Sequence, residues 1–134
     1  MVIPYACAAA VEARPAQFTD GAQRRDFLYV DDLLDWLMLA VDGRVAEEGA
    51  RGFHLHHLGT GVARAVRDVL EEIVAQLPGA RFELGSLARN PHQPPVQVVP
   101  EYLDSCPALA AWRPRTDLRD GLTRTVAWWK AQPR

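Results

Sequence analysis

Residues 16–41 constrain the fold more than any other stretch. Ala16 to Thr19 and Arg25 to Val30 are short runs of β type, and the second (RDFLYV) is rich in aromatic and branched residues. An Asp20-Gly21 turn separates them, and Asp31-Asp32 offers a helix N-cap directly after the second run. Leu33, Leu34, Leu37, Met38 and Val41 then recur at helical spacing. The hydrophobic period changes from two to 3.6 within one segment, which predicts strands packed with helices.

The alternation continues on both sides. Ile3 to Arg14 reads as an Ala-rich helix with Pro4 near its start and Pro15 as its stop. Phe53 to Leu58 (FHLHHL) is a strand candidate, turned by Gly59-Thr60-Gly61. Val66, Val69, Leu70, Ile73 and Leu77 mark an amphipathic helix that ends at Pro78-Gly79. Arg81 to Leu84 and Val96 to Val99 read as strands, separated by a proline-rich loop from Ser86 to Pro95. Tyr102 to Ala111 reads as a short helix. After Pro114, Thr116 or Asp117 caps a last helix with Leu118, Leu122, Val126 and Trp129 on its apolar face. The expectation is an α/β (mixed α+β) fold of about five helices with short strands, a single domain over residues 1–134.

Composition removes several classes. Hydrophobic residues at 49% and charged residues at 24% are values of a globular chain. No apolar run approaches the ~20 residues a bilayer span needs, so a membrane protein of that kind is not expected. A net charge of −2 gives no general pull toward nucleic acid. Cys7 and Cys106 lack metal-type spacing and read as free thiols in a reducing cytosol, and no secretory leader is visible. Lys130 is the sole lysine among 15 basic residues, so lysine chemistry has one candidate near the end of a helix.

Three constellations invite functional readings. Gly59-Thr60-Gly61 followed by a helix, with Glu83 at the next strand, mimics a dinucleotide-binding fingerprint. Arg64 stands where the third glycine belongs, and FHLHHL is too polar for a central parallel strand, so a plain turn is the preferred reading. His54 and His56 would share one strand face, and two imidazoles there could hold zinc only with a third ligand from elsewhere. Half-exposed histidines are the alternative. Asp31 and Asp32 read as caps rather than an acid–base pair, and Ser86 and Ser105 lack the setting of a nucleophile.

The run FTDGAQRRDFLYVDD, from Phe18 to Asp32, resembles a motif of the extended short-chain dehydrogenase/reductases, the NAD-dependent epimerase/dehydratase family that acts on nucleotide sugars. HHLGTGVARAVRDVLEEIVAQL resembles that family's strand, Gly-x-Gly turn and helix. LARNPHQPP resembles its phosphate loop. AWRPRTDLRDGLTRTVAWWKAQ resembles its closing stretch, in which Trp-x-Pro precedes an amphipathic helix. Order and spacing agree from about residue 1 to residue 132. The resemblance implies the C-terminal, substrate-binding domain, with the Rossmann half absent. Neither the family's cofactor loop nor its Tyr-x-x-x-Lys pair is present: the fourth residues after Tyr5, Tyr29 and Tyr102 are Ala9, Leu33 and Cys106. MVIPYACAAA resembles an internal family segment, so the chain is expected to begin mid-protein.

The resemblance further implies a grip on a nucleoside-diphosphate sugar. Arg25 and Arg89 match the family's two diphosphate arginines, whose planar forks suit phosphate oxygens. Phe18 matches a strand position beside the base, His57 falls where an asparagine near the base or ribose is common, and His92 resembles a histidine that some dehydratases carry. A surface arginine paired with an aspartate is the alternative for Arg25. No cofactor is expected on this chain, whereas the intact family uses NAD(P) to oxidise the sugar ring. Whether the chain is itself an enzyme stays open. Loss of a Rossmann half would expose apolar surface, so a homo-oligomer or a Rossmann-containing partner is expected. A structural or regulatory subunit that kept only the fold is the rival reading.

Overall fold

The computed structural model describes residues 2–44, 56–97 and 112–133. The expected Tyr102–Ala111 helix, His54 and Cys106 lie outside them. Within them the order is α1 (Val2–Val11), β1 (Pro15–Phe18), β2 (Arg24–Asp26), α2 (Val30–Val41), β3 (Ala63–Ala65), α3 (Val66–Gln76), β4 (Arg81–Leu84), β5 (Val96–Gln97) and α4 (Leu118–Ala131). Strands β1 and β4 pair in parallel, from Pro15 opposite Arg81 to Phe18 opposite Leu84. A second sheet has the order β3-β2-β5, with β3 antiparallel and β5 parallel to β2. The mixed α/β class stands, with four helices among the described residues.

The core forms where α1, α3 and α4 meet β1. Ala6, Cys7, Ala9 and Ala10 of α1 are buried, as are Val66, Val69, Leu70 and Ile73 of α3 and Leu122 and Val126 of α4. Small residues on α1 let neighbouring helices approach closely, and the larger side chains of α3 fill the space. Burial pushes the Cys7 thiol up to about 11. The folded state therefore holds that proton longer than the unfolded chain does, and stability falls as pH rises from about 9 through about 11.

Two expectations are corrected around α2. The cap is Tyr29, with no side-chain hydrogen bond, and Asp31 and Asp32 lie in the first turn. Asp32 is 3% exposed, the one buried charged residue among those described. Its carboxylate accepts from the backbone N–H groups of Arg115 (3.0 Å) and Thr116 (3.1 Å), and its carbonyl accepts from Trp112 Nε1 at 3.0 Å. It thus binds the Trp-x-Pro segment to α2 rather than capping its own helix. The apolar stripe of α2 faces outward: Leu34, Leu37, Met38 and Val41 are 51%, 42%, 59% and 79% exposed.

The predicted strand FHLHHL is also corrected. Residues 56–58 are not strand, and β3 forms later, at Ala63–Ala65. Histidines 56 and 57 therefore do not share the alternation of a strand, and among the described residues no three metal-type ligands gather. No described helix is long and apolar enough to cross a membrane.

Asp32→Ala leaves the backbone N–H groups of Arg115 and Thr116 without their acceptor, while the Trp112 indole keeps its main-chain carbonyl, and should cost about 2–4 kcal/mol in urea unfolding. A loss below about 0.5 kcal/mol, the level of an ordinary surface change, would contradict this role. Cys7 should label with a thiol reagent at pH 8 only after denaturation, read by mass spectrometry of the peptide that carries it.

Candidate functional site

Three arginine-bearing elements converge on the β3-β2-β5 sheet. Arg25 is central, half-buried in the middle strand, and its Nη1 donates to the Arg24 carbonyl at 2.7 Å. Among the described residues no carboxylate pairs with it. Gln23 and Phe27 flank the strand on either side. Gln23 lines a cleft of about 180 Å3 with Thr19, Arg89 and Asn90. Phe27 lines a second cleft, of about 290 Å3, with Thr60, Val62, Arg64 and Arg115.

Arg89 comes from the loop after β4. That loop is tied to β1 where Leu87 N–H donates to the Phe18 carbonyl at 3.1 Å. The Arg89 fork closes on Asp20, Nε to Oδ1 and Nη2 to Oδ2, both at 2.7 Å. This bidentate bond, with the Ala22 N–H behind it, holds the Asp20 carboxyl below its ordinary value. The pair is therefore fully present above the usual carboxylate range and is lost as pH falls through that lowered value. Arg67 braces the same turn by donating to the Asp20 carbonyl (2.8 Å). Gly21 adopts φ +70°, and a Cβ there would lie 2.8 Å from Arg67 N, so only glycine fits.

The glycine turn at 59–61 is occupied by the protein itself. Asp26 Oδ1 accepts from Thr60 N–H (2.9 Å) and Thr60 Oγ1 (2.6 Å), and Oδ2 accepts from Gly61 N–H (2.9 Å). Gly61 supplies the positive φ of +75° that turns both amides toward one carboxylate. The turn then enters β3 before α3. It does not fit a dinucleotide pyrophosphate, because the amides that would bind it already hold Asp26 and no helix N-terminus follows directly.

The remaining predicted residues are dispersed. Phe18 is 7% exposed and packs edge-on between Tyr5 and Phe82, so its ring serves the core rather than an open base site. His57 is exposed beyond the glycine turn, beside His56, whose ring stands 5.4 Å from Trp36. His92 is exposed at a turn where its N–H donates to Asn90 Oδ1, next to the Arg89 cleft. Sequence reading missed Asp26, Asp20 and Arg64. The strand register that brings Arg64 opposite Arg25 is invisible until β3 is known.

Asp26→Ala should speed amide exchange at Thr60 and Gly61 by about tenfold or more, the effect of one lost hydrogen bond. Unchanged exchange would mean the carboxylate does not hold the turn.

No model of a known protein family matches the sequence. Individual relatives do. A UDP-glucuronate 4-epimerase of Thermodesulfobacterium geofontis is 31% identical over 120 residues, covering 89% of this chain and 34% of its own. GDP-L-fucose synthase 1 of Arabidopsis thaliana is 31% identical over 110 residues, covering 81% of this chain and 31% of its own. Among solved structures, the NAD-dependent NDP-hexosamine 5,6-dehydratase TunA superposes with a TM-score of 0.78 at 20% identity, over 99% of this chain and 41% of that one. A UDP-glucose 4-epimerase from Stenotrophomonas maltophila with bound NAD gives 0.75 at 24% identity, over 98% and 40%. The chain thus spans about a third of the length of the curated relatives it matches. By sequence and by fold, the proteins that this chain matches are members of the NAD-dependent epimerase/dehydratase family.

Proposed function

We propose that this chain is the nucleoside-diphosphate-sugar-binding region of an NAD-dependent epimerase/dehydratase-like protein, catalytically incomplete by itself. One observation carries the reading. Arg25 stands on the middle strand of the β3-β2-β5 sheet with no carboxylate partner among the described residues, on a fold shared with enzymes of nucleotide sugars. An arginine without an acid partner is a ready phosphate ligand. Arg89 and His92, at the neighbouring cleft, extend the same grip, with Arg89 exchanging Asp20 for a phosphate oxygen. His57 lies near the base or ribose, and Phe18 forms the wall behind rather than a stacking surface. The redox cofactor, NAD(P), belongs to the further chain of full-length relatives, since the Gly-x-Gly turn here is filled by Asp26. The absent Tyr-x-x-x-Lys pair supports catalytic incompleteness.

The closed Arg89–Asp20 fork favours a second reading, a structural or regulatory subunit that no longer binds nucleotides. Thermal unfolding with UDP, dTDP, GDP, CDP and NAD separates the two. At 100 times its dissociation constant a bound nucleotide adds about 2.7 kcal/mol. One nucleoside diphosphate should stabilise the chain, NAD should not, and Arg25→Ala should remove the effect. No shift with any nucleotide supports the subunit reading.

The apolar face of α2 needs a cover under either reading. It continues at Val30 into an apolar cleft of about 400 Å3 that Ile3, Pro4 and Leu122 also line. A second copy or a Rossmann-containing chain fits that surface. Light scattering should show self-association, or a complex once such a chain is added. A clean monomer at high concentration in both conditions would overturn it.

A further inference from the structure

The register of β2 and β3 sets Arg25 directly opposite Arg64. Cross-strand neighbours on one face have Cβ atoms about 5 Å apart, and like charges there destabilise the pair. Among the described residues neither arginine is ion-paired with a carboxylate. Gln97 of β5 also pairs with Arg25, so the row across the sheet reads Arg64, Arg25, Gln97. Every member of that row is a hydrogen-bond donor, and none is an anion. Arg64 is exposed and lines the 290 Å3 cleft with Val62 and Phe27. The register places Arg25 and Arg64 on one face of the strand pair, and Arg64 reaches the cleft. Arg89, Arg119 and Arg124 by contrast meet carboxylates, of Asp20, Glu72 and Asp120.

We propose that Arg64 is a phosphate-binding residue that joins Arg25 across the strand pair to clasp one diphosphate group from two sides. The inference rests on the nucleotide-sugar reading for the identity of its ligand, but the anion site itself follows from the register. Bound phosphate removes the repulsion that the empty pair carries, so affinity and the strain of the unliganded strands are two faces of one arrangement.

The test is calorimetry and thermal unfolding of the chain and of Arg64→Asn and Arg64→Lys, with the nucleoside diphosphates and inorganic pyrophosphate as probes. Arg64→Asn should weaken the bound diphosphate roughly 10- to 100-fold, the range of a lost charge-assisted hydrogen bond. It should leave the unliganded unfolding midpoint unchanged or raised, because a like-charge contact is gone. Arg64→Lys should recover part of the affinity, since charge returns without the fork. A lower unliganded midpoint with unchanged affinity would make Arg64 structural and overturn the proposal. Equal nucleotide affinity in wild type and Arg64→Asn would overturn it and leave the nucleotide reading standing. Arg64-dependent pyrophosphate binding, with no nucleotide bound more tightly, would support the two-arginine site and overturn the nucleotide reading. Absence of binding by every probe would overturn both.

Discussion

The buried carboxylate of Asp32 is the bond on which the arrangement of this chain depends. The start of α2 and the segment that leads into α4 are more than eighty positions apart in sequence. Asp32 joins them with two backbone hydrogen bonds, and its own carbonyl adds the Trp112 indole. A buried charge is tolerated only when its lone pairs are met, and here backbone amides meet them. Once Thr116 is fixed, Asp117 can cap α4 through the Asp120 N–H, and α4 delivers Leu122 and Val126 to the core. Asp26 does the same for the glycine turn. Two aspartates six positions apart thus replace what longer strands would otherwise supply.

That scaffold leaves the face of the β3-β2-β5 sheet with donors and no acids. Short strands with arginines opposed would be poor stability design for their own sake. Local rules of this kind fail where a site needs them to, which is why the proposed anion site is placed at this pair. The relatives act on, or were solved with, nucleotide sugars and dinucleotides. In this chain the Gly-x-Gly turn binds a carboxylate of its own, Asp26.

Much of this was legible beforehand, for reasons that differ by element. Strand β4 and helices α3 and α4 follow from strong periodicity and an Asp cap, which local sequence encodes directly. The apolar stripe of α2 was equally clear, but periodicity says only that a face is apolar, not that its partner lies in the same chain. Ala63-Arg64-Ala65 has no β propensity, so β3 exists because β2 offers it an edge, and the Arg25–Arg64 register was hidden with it. Family position sets Phe18 beside the base, while its neighbours Tyr5 and Phe82 come from α1 and β4, contacts that no local pattern reveals. Arg25 and Arg89 were found through motif position alone. Asp20, the residue that decides whether Arg89 is free to meet phosphate, carried no signal beyond its place in a turn.

The most direct measurement is amide and guanidinium NMR of the labelled chain during titration with the nucleoside diphosphate that stabilises it best. Perturbations should concentrate at Gln23, Arg25, Arg64 and Arg89, along one face of the β2 sheet, with the Thr60 and Gly61 amides still held by Asp26. Perturbations centred on the glycine turn or on the apolar face of α2, with Arg25 unmoved, would contradict an anion site built on that sheet.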